Sequence, residues 1–311
     1  MTTAVLVTGG SGFIGTWVLR ELIRRDATPV VYDLTEGTER WQRILGRTAD
    51  AVRFMEGDLT DRGALQQAFQ RHSISHVIHL GALLTPDCQD NPWLGCQVNL
   101  LGSVAIFEEV RAKARQIQSV AYASSLAVFG PEPDDVIPTA SQIDTTNAPS
   151  FYGAFKRSVE LIANQYWKHY QIPSVGIRPH VVYGPERTVG LTAGPSLAAR
   201  AAARNEAFTI NYTGEAGYDY VEDVAQALVR AALETPAGAH VVDLPSQAAT
   251  PEHIVQRIGK IVPGSASQLS VSGPSIPSNM PAQRTLISNL FADWQATSLD
   301  DGLRKTVEFY Q

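Results

Sequence analysis

Apolar runs rich in β-branched residues alternate with stretches of helical periodicity through the first half of the chain. The runs that predict strands lie at 4–7, 29–33, 52–55, 76–80, 119–123 and 175–178. Helical periodicity follows the first run at 17–23 and extends over two long stretches, 91–116 and 151–170. Strands separated by helices require crossover connections, so the pattern predicts an α/β fold, a doubly wound parallel sheet with helices on both faces.

The second half of the chain has a different pattern. From Pro185 the sequence is richer in Gly, Ala, Ser and Pro, and only short elements are predicted. Helices are expected at 196–204, 222–233, 253–261 and 299–309, strands at 208–210 and 240–243, and a loop over 264–281. We therefore expect two domains, 1–184 with the parallel sheet and 185–311 as a smaller mixed α/β lobe partly interwoven with it.

A glycine-rich loop, residues 8–15, lies between the first predicted strand and the first predicted helix. Its glycines stand three residues apart, at Gly9, Gly12 and Gly15. Glycines at this spacing permit a tight turn, close approach of the backbone to a pyrophosphate, and close packing of helix on strand. The free N–H groups at the start of the helix, where Phe13 and Ile14 lie, would bind the phosphates. The loop therefore predicts a Rossmann-type dinucleotide site.

Asp33 ends the second predicted strand, 18 residues beyond Gly15. A carboxylate at this spacing accepts hydrogen bonds from both ribose hydroxyls of adenosine and repels a 2′-phosphate, so NAD is favoured over NADP. A solvated strand end is the alternative for Asp33, and Arg40 and Arg43 nearby leave NADP open. The first domain is thus predicted to be an NAD-binding Rossmann domain and the second a substrate-binding lobe.

Other residues at the ends of predicted strands or just beyond them are candidate cofactor contacts. The ligands of doubly wound sheets lie beyond the carboxyl ends of the strands, where these residues are expected. They are Asp58, Leu59, Leu80, Gly81, Ala82 and Ser124. Asp58 would accept a hydrogen bond from the adenine amine, and an equally weighted alternative makes it a helix N-cap.

Tyr152 and Lys156 are four residues apart in the second long helical stretch, so they share one face of a helix. A phenol is a poor base at neutral pH, but a neighbouring ammonium group stabilises the phenolate. Such a tyrosine takes a proton from a substrate hydroxyl while hydride leaves the carbon. Ser125, at the end of the fifth strand, would hydrogen-bond the same oxygen. An exposed amphipathic helix without chemistry is the alternative for the pair.

Together these motifs resemble the extended short-chain dehydrogenases/reductases of the NAD-dependent epimerase/dehydratase kind. The matching segments are 8–15, 57–59, 79–82, 98–103, 124–130, 152–156, 178–185 and 220–225. The resemblance implies a catalytic set of Ser125, Tyr152 and Lys156. Tyr152 and Lys156 are also expected to contact the cofactor, Lys156 at the nicotinamide ribose. It implies that Asn99 is a structural and proton-relay residue beside the cofactor, and that Pro179 is a further cofactor contact.

Departures from the family pattern restrict the expected reaction. Members that remove water carry an Asp-Glu pair where this chain has Leu126 and Ala127, so dehydration is not expected. Members that bind nucleotide sugars usually have Asn where this chain has Val181, and an Arg where residues 216–219 here contain none. Because a buried diphosphate needs cationic or amide partners, the expected substrate carries no nucleotide diphosphate.

Candidate substrate contacts follow the fourth, fifth and sixth strands. They are Leu84, Thr85, Ser125, His180 and Arg187. His180 would bind a hydroxyl or carboxylate or act as a second base, and a packed histidine is an equally weighted alternative. Arg187 and Arg200 would compensate in part for the missing arginine if the substrate did carry a diphosphate.

Composition narrows the remaining classes of function. The 311 residues are 44% hydrophobic with a net charge of −6 and no basic block, so a nucleic-acid partner is not expected. No apolar run has the length of a membrane span and no signal peptide is recognised, so a cytoplasmic protein is expected. Two cysteines exclude a disulfide scaffold, and seven scattered histidines show no metal-ligand spacing. The family resemblance implies a homodimer through the helices at 91–116 and 151–170.

Three functions are consistent with these observations. The first is an NAD-dependent oxidoreductase that acts on a secondary alcohol of a small non-nucleotide sugar, polyol or hydroxy acid. The second is an NAD-dependent sugar epimerase, including one for nucleotide sugars, in which the ketone forms transiently. The third is an NAD-sensing protein without turnover, which the intact Ser-Tyr-Lys set disfavours.

Overall fold

The computed structural model describes residues 3–130, 148–276 and 284–311. Its strands are β1 (Ala4–Thr8), β2 (Thr28–Asp33), β3 (Arg53–Glu56), β4 (Ile74–His79), β5 (Val120–Ala123), β6 (Ser174–Arg178), β7 (Val181–Tyr183), β8 (Phe208–Ile210), β9 (Ala216–Tyr220), β10 (Ala239–Asp243), β11 (Gln247–Ala249) and β12 (Leu269–Val271). Its α-helices are α1 (Phe13–Arg24), α2 (Thr38–Leu45), α3 (Arg62–Arg71), α4 (Thr85–Asp90), α5 (Pro92–Gly95), α6 (Gly102–Ala112), α7 (Phe151–Tyr170), α8 (Gly194–Ala203), α9 (Val221–Leu233), α10 (Pro251–Ile261) and α11 (Leu299–Glu308). A π-helical segment, Cys96–Leu101, joins α5 to α6, and a short 3₁₀ turn spans Leu126–Val128.

The central sheet has seven parallel strands in the order β3-β2-β1-β4-β5-β6-β10. β1 is buried along its whole length. A parallel strand that is covered on both faces needs apolar side chains on both, so its sequence is a continuous apolar run. This is the reason that the β-branched runs predicted the strands, and the predicted doubly wound α/β sheet is confirmed. The strand order reverses between β1 and β4, and a crevice for ligands is expected at the carboxyl ends of these strands.

The edge strand β10 was predicted as a strand but not as part of this sheet. It pairs in parallel with β6, so that Asp243 lies opposite Arg178. The other short strands form a three-stranded sheet in the order β11-β9-β7 and a two-stranded pair, β12-β8. The loop expected over 264–281 is wrong in part, since it contains β12, and its residues 277–281 lie outside the described residues.

The two long helical stretches differ in outcome. Helix α7 spans Phe151–Tyr170, as its periodicity predicts. The stretch at 91–116 is not a continuous α-helix, because the π-helical segment lies between α5 and α6 and α6 ends at Ala112. A π-helical turn holds more residues than an α-helical one, and such turns are frequent at functional sites.

The chain forms two compact units. The first consists of residues 1–178, 225–243 and 283–285, and holds the seven-stranded sheet. The second consists of residues 179–224, 244–282 and 286–311. The boundary after Arg178 and the return of 225–243 to the first unit differ from a single division at 184. Within the described residues, no helix combines the length and apolar character that crossing a membrane requires.

Candidate active site

The glycine loop of the first unit turns at Gly9, whose φ of 72° lies in the left-handed region that favours glycine. The Gly12 N–H closes the turn by donating to the Gly9 carbonyl at 3.1 Å. A Cβ on Gly9 would lie 2.7 Å from the Gly81 amide nitrogen, so only glycine lets the loop approach the end of β4 so closely. The backbone of the loop therefore packs closely against that of Leu80 and Gly81.

Helix α1 starts at this loop with Gly12 as an N-cap that supplies no side-chain hydrogen bond. The N–H groups of its first turn, which includes Phe13 and Ile14, therefore have no intrahelical partners. The Ser11 hydroxyl is buried and has no hydrogen-bond partner among the described residues. Free N–H groups, a positive helix end and an unsatisfied hydroxyl fit the pyrophosphate of a dinucleotide.

Asp33 lies beside this loop at the end of β2. Its carboxylate accepts hydrogen bonds from the backbone N–H of Ser11 at 3.0 Å and of Leu34 at 2.8 Å. Arg40 donates to the carbonyl of Ser11 at 2.7 Å. The two backbone donors fix the orientation of the carboxylate while each of its oxygens keeps further lone pairs for ribose hydroxyls.

Asp58 is exposed beyond the end of β3 and accepts a hydrogen bond from the N–H of Thr60 at 2.8 Å. The alternative role of Asp58 as a helix N-cap is wrong, because Asp61 caps α3 by accepting from Ala64 at 3.0 Å. The carboxylate of Asp58 therefore keeps acceptor capacity for an amine, and contact with adenine stays a prediction. The neighbouring Leu59 is buried.

A buried chain of hydrogen bonds ties the ends of β1 and β4 together. The Thr8 hydroxyl accepts from the N–H groups of Leu80 and Gly81 at 3.2 Å each, and it lies 2.6 Å from Nδ1 of His79. Burial lowers the pKa of His79 to about 3, so the ring is neutral, and its Nε2 lies 2.9 Å from the Ser103 hydroxyl. Thr8 and His79 hold the segment that leads to Ala82 in place, and the sequence did not predict this role.

Asn99 lies in the π-helical segment, and its side chain binds the chain beyond β4. Its Oδ1 accepts from the Leu83 N–H at 2.8 Å, and its Nδ2 donates to the Leu83 carbonyl at 2.9 Å and to the Cys88 sulfur at 3.3 Å. These bonds are those of a structural residue. Proton relay and cofactor contact by Asn99 stay predictions.

Ser125 and Tyr152 come together where α7 begins. Ser150 caps this helix by accepting from the Gly153 N–H at 3.1 Å, and a Cβ on Gly153 would overlap the Ala127 carbonyl oxygen. Helix α7 therefore packs directly against the turn that Ser125 caps. Burial raises the pKa of the Tyr152 phenol to about 12, and the hydrogen bond from Ser125 opposes this increase.

Lys156 follows Tyr152 by one turn of α7 and is buried. Its Nζ donates to the Ala123 carbonyl at 2.7 Å and lies 5.6 Å from the centre of the Tyr152 ring. Burial lowers the pKa of Lys156 to about 8. The predicted set of Ser125, Tyr152 and Lys156 is thus assembled within the first unit at the carboxyl end of β5.

A buried ion pair that the sequence did not predict supports this set. Glu160, one further turn along α7, accepts from the Arg178 guanidinium at 2.6 Å through both oxygens. It also accepts from the Ser124 hydroxyl at 2.5 Å and from Arg157 at 3.0 Å. Ser124 was predicted to contact the cofactor, and in the structure its hydroxyl donates to Glu160.

The candidate substrate residues after β4 lie at the start of α4. Leu84 is exposed and precedes this short helix, and Thr85 is its first residue. Cys88 in the same helix is buried, and burial raises the pKa of its thiol. A buried thiol with a raised pKa is not a nucleophile at neutral pH.

The second unit contains the other candidate residues. Pro179 is buried, the His180 N–H donates to the Asp219 carboxylate at 2.7 Å, and the His180 ring packs on Gly217. Arg187 donates to the Val182 carbonyl and, at 2.8 Å, to the Thr192 hydroxyl. The packing of His180 agrees with the structural alternative for this residue.

Comparison with known proteins assigns the chain to a family. A model described as the NAD dependent epimerase/dehydratase family matches residues 5–243. The UDP-glucose 4-epimerase of Yersinia pestis is 30% identical over 264 residues, which are 77% of this chain and 77% of that protein. The chain belongs to the NAD-dependent epimerase/dehydratase family.

Two further kinds of similarity were found. Some relatives match this chain over a smaller part of their length, and some solved structures share its fold at lower sequence identity. The UDP-glucose 4-epimerase of Erwinia amylovora is 32% identical, but the match covers 53% of this chain and 49%, about half, of that protein. The structure of UDP-glucose 4-epimerase from Thermus thermophilus in complex with NAD superposes with a TM-score of 0.77 at 24% identity, covering 99% of both chains. That of Thermotoga maritima with UDP-glucose gives 0.80 at 23% identity, covering 99% of this chain and 98% of that one.

Family membership and the geometry of the loop agree on the cofactor, which is NAD. The unsatisfied Ser11 hydroxyl, the free N–H groups of α1 and the oriented carboxylate of Asp33 would hold its pyrophosphate and adenosine ribose. This member of the NAD-dependent epimerase/dehydratase family has Ser125, Tyr152 and Lys156 side by side in its first unit. Glu160 could have been found from the sequence, since Tyr152, Lys156 and Glu160 are spaced by four on one helix.

Proposed function

We propose that this chain catalyses NAD-dependent hydride transfer at a secondary alcohol of a small non-nucleotide sugar, polyol or hydroxy acid. The observation that carries the proposal is the arrangement of Ser125, Tyr152 and Lys156, with the Lys156 ammonium 5.6 Å from the Tyr152 ring. Three polar groups converge here at the carboxyl end of a strand in an NAD-binding fold, and this is the constellation that alcohol oxidation needs.

Each residue has a distinct part in the proposed step. Tyr152 takes the proton of the substrate hydroxyl while the carbon loses hydride, so that the alcohol becomes a ketone. Ser125 donates a hydrogen bond to the substrate oxygen and keeps it in line with the phenol. Lys156 stabilises the phenolate form of Tyr152. NAD, when bound, supplies the acceptor for the hydride.

The second unit favours a substrate without a diphosphate. Val181 occupies the place at which nucleotide-sugar members have Asn, and its side chain is apolar and buried. Strand β9, which includes 216–219, is buried along its whole length and offers no cation, while Asp219 accepts from the His180 N–H. Diphosphates require several charge-assisted hydrogen bonds, and these two segments supply none.

An epimerase is the second candidate, and the relatives favour it. The Yersinia pestis protein that matches over most of its length is a UDP-glucose 4-epimerase. The same Tyr152-dependent step would then run twice, with the ketone reduced on its other face before release. Under this alternative the substrate is a free sugar or a nucleotide sugar.

Net NADH formation distinguishes the two candidates. The protein is incubated with saturating NAD and a panel of free sugars, sugar acids and polyols, and absorbance near 340 nm reports the dehydrogenase. An epimerase gives no net NADH, but NMR of the mixture detects interconverted epimers. A saturable thermal shift of the NAD complex by a UDP-sugar would overturn the non-nucleotide substrate, and a Tyr152→Phe variant with unchanged activity would overturn both candidates.

We also propose that two copies of the chain pair through α5, the π-helical segment, α6 and α7. Large apolar side chains on these elements are exposed: Trp93, Leu94, Leu101, Phe151 and Leu161. Exposed apolar groups on adjoining helices favour burial against a second copy. Sedimentation equilibrium should show a dimer that Leu161→Glu converts to monomer, and a monomeric wild-type chain would contradict the proposal.

Both cysteines are free thiols, which supports a reducing compartment such as the cytoplasm.

A further inference from the structure

The tip of the glycine loop in the first unit is bonded to residues that lie outside the loop. The first peptide unit of the tip joins Gly10 to Ser11. Its N–H, on Ser11, donates to the Asp33 carboxylate at 3.0 Å, and its carbonyl, on Gly10, accepts from Nε1 of Trp41 at 3.3 Å. Both polar groups of this peptide unit are therefore bonded, one to the end of β2 and the other to α2.

The next peptide unit, from Ser11 to Gly12, is held in the same way. Its carbonyl accepts from Nη1 of Arg40 at 2.7 Å, and its N–H donates to the Gly9 carbonyl at 3.1 Å. A peptide unit with both polar groups bonded cannot turn over without losing a hydrogen bond. The N–H that follows belongs to Phe13, the first residue of α1, so the bonded segment ends where the free N–H groups of the helix begin.

Helix α2 packs directly on the loop tip. Gly37 precedes this helix, and a Cβ there would lie 3.0 Å from the Ser11 Cα and 2.7 Å from Nε1 of Trp41. Trp41 is 3% exposed, and its ring lies edge-on to that of Phe54 with 6.1 Å between their centres. The absence of a side chain at Gly37 therefore lets α2 approach closely enough for its side chains to reach the carbonyls of the loop.

Arg40 is held on the loop at an energetic cost. Its Nε is buried and has no hydrogen-bond partner among the described residues. A desolvated N–H without an acceptor is destabilising, and such a group in a folded protein calls for a functional explanation. The bond from Nη1 of Arg40 to the Ser11 carbonyl supplies one, because it fixes the part of the chain that leads into the first turn of α1.

We propose that Arg40 and Trp41 are positioning residues for NAD, which hold the tip of the glycine loop in its binding conformation before the cofactor arrives. The N–H groups that would bind the pyrophosphate and the Asp33 carboxylate that would bind the ribose are then oriented in the free protein. A preformed site loses less conformational freedom on binding, so its affinity is higher. Arg40 is thereby assigned to the loop and not to the 2′-phosphate of NADP. Neither residue takes part in the proposed reaction.

The test measures the affinity of the purified protein for NAD and for ADP-ribose by calorimetric titration without substrate. Arg40→Met removes the guanidinium and keeps an apolar stem, while Arg40→Lys keeps a single donor group. Trp41→Phe keeps an aromatic ring and removes the N–H. Arg43→Met makes the same change of charge on the same helix, at an exposed side chain that lies 3.5 Å from Glu39, and is the matched control.

Arg40→Met should raise the Kd for NAD and for ADP-ribose equally, by about 5- to 20-fold, because a hydrogen bond to a charged donor is lost. Trp41→Phe should raise it by about 2- to 5-fold, since its bond is longer and neutral. Arg40→Lys should stay within about threefold of wild type and Arg43→Met within about twofold. The loss in Arg40→Met should persist in about 0.5 M salt, which screens long-range attraction of the pyrophosphate.

Hydrogen exchange of the protein without NAD reports on the loop itself. Arg40→Met should accelerate exchange within residues 8–15 by about tenfold and leave the strand at 74–79 unchanged, because only a local opening becomes easier. A merely structural role of Arg40 would instead lower the free energy of unfolding and accelerate exchange in both segments. Accelerated exchange in both segments would therefore overturn the proposal.

Unchanged affinity of folded Arg40→Met for NAD would also overturn the proposal, as would an equal loss in Arg43→Met. A wild-type preference for NADP that Arg40→Met abolishes would overturn it in favour of a 2′-phosphate contact. If Arg40→Met does not fold, Trp41→Phe decides, and wild-type affinity together with wild-type exchange in that variant would overturn the proposal. Because no substrate is present, failure of the proposed reaction would leave each of these results unaffected.

Discussion

Asp243 provides a test of the buried charges around the Glu160–Arg178 ion pair. Its side chain is fully buried at the end of β10, and neither carboxylate oxygen has a hydrogen-bond partner among the described residues. Arg178 lies opposite in the register, but its Nη1 is 4.0 Å away and its other nitrogens bind Glu160. Burial therefore prevails over the attraction of Arg178 and raises the pKa of Asp243 to about 6.

The raised pKa determines the sign and size of a pH effect on stability. An unfolded aspartate titrates near pKa 3.9, about two units below the folded value, and each unit corresponds to about 1.4 kcal/mol. Between about pH 4 and pH 6 the folded chain keeps the proton that the unfolded chain has lost. The free energy of unfolding should therefore fall by about 3 kcal/mol as pH rises through this window, and stay level above it.

The assay compares the urea unfolding of wild type and Asp243→Asn between pH 4.5 and pH 7.5. Asparagine does not titrate, and its buried amide adds a cost that is independent of pH, so only the change of the difference with pH is used. The stability of wild type relative to the variant should fall by about 2 kcal/mol across the accessible range. Asp26→Asn, at an exposed left-handed position that Asn also adopts, controls for the change in net charge. A difference that is constant, or that rises with pH, would refute the reasoning.

Three further predictions follow from the geometry. Tyr152→Phe should lower kcat by about 10²- to 10⁴-fold with NAD affinity unchanged, measured by steady-state kinetics and by fluorescence titration, because only proton transfer is lost. Gly15→Ala should abolish NAD binding, since its Cβ would overlap the Gly9 carbonyl oxygen; retained affinity in the titration would contradict the tight helix-loop packing. Glu160→Gln should lower the free energy of unfolding by about 3 to 5 kcal/mol in urea, because it leaves the Arg178 guanidinium buried without its carboxylate, and a loss below about 1 kcal/mol would contradict this.

Exposed substitutions of the same chemical type serve as controls. Gly63→Ala lies near the start of α3, where a Cβ meets only the Asp61 carboxylate at 3.3 Å, and it should leave NAD binding intact. Glu39→Gln removes an exposed partner of Arg43 at 3.5 Å and should change stability by less than about 1 kcal/mol. Equal effects of a control and of its buried counterpart would show that the buried contact is not the cause.

The parts of the fold that sequence predicted are those in which local pattern and tertiary role coincide. β1 is buried on both faces, so its apolar run is itself the signature of a central parallel strand. β10 lacks such a signature: three of its five residues are only partly buried, and its place beside β6 depends on pairing with a strand about 60 residues earlier. The π-helical segment was missed because apolar periodicity does not distinguish a π-helical turn from an α-helical one.

The same contrast applies to the site. The positions of the glycine loop before α1 and of Tyr152 one turn before Lys156 on α7 were predictable, because they depend on short spacings in the sequence. The bond from Ser124 to Glu160 and the pairing of Glu160 with Arg178 depend on three separate elements, β5, α7 and β6. Such contacts form only when the sheet is assembled, so they cannot be predicted from the local sequence around any one of these residues.

In the proposed reaction, the electrostatics of Ser125, Tyr152 and Lys156 link proton transfer to the presence of the cofactor. Burial raises the pKa of Tyr152 to about 12 and lowers that of Lys156 to about 8, so desolvation shifts both groups toward their neutral forms. In the protein alone, the phenol is therefore protonated at neutral pH and is a poor base. The positive ring of oxidised NAD would lower the pKa of the phenol in the same low-dielectric surroundings in which burial has raised it. Tyr152 is thus expected to become an effective base only when oxidised NAD is bound. A bound alcohol would then lose its proton only when an acceptor for its hydride is present.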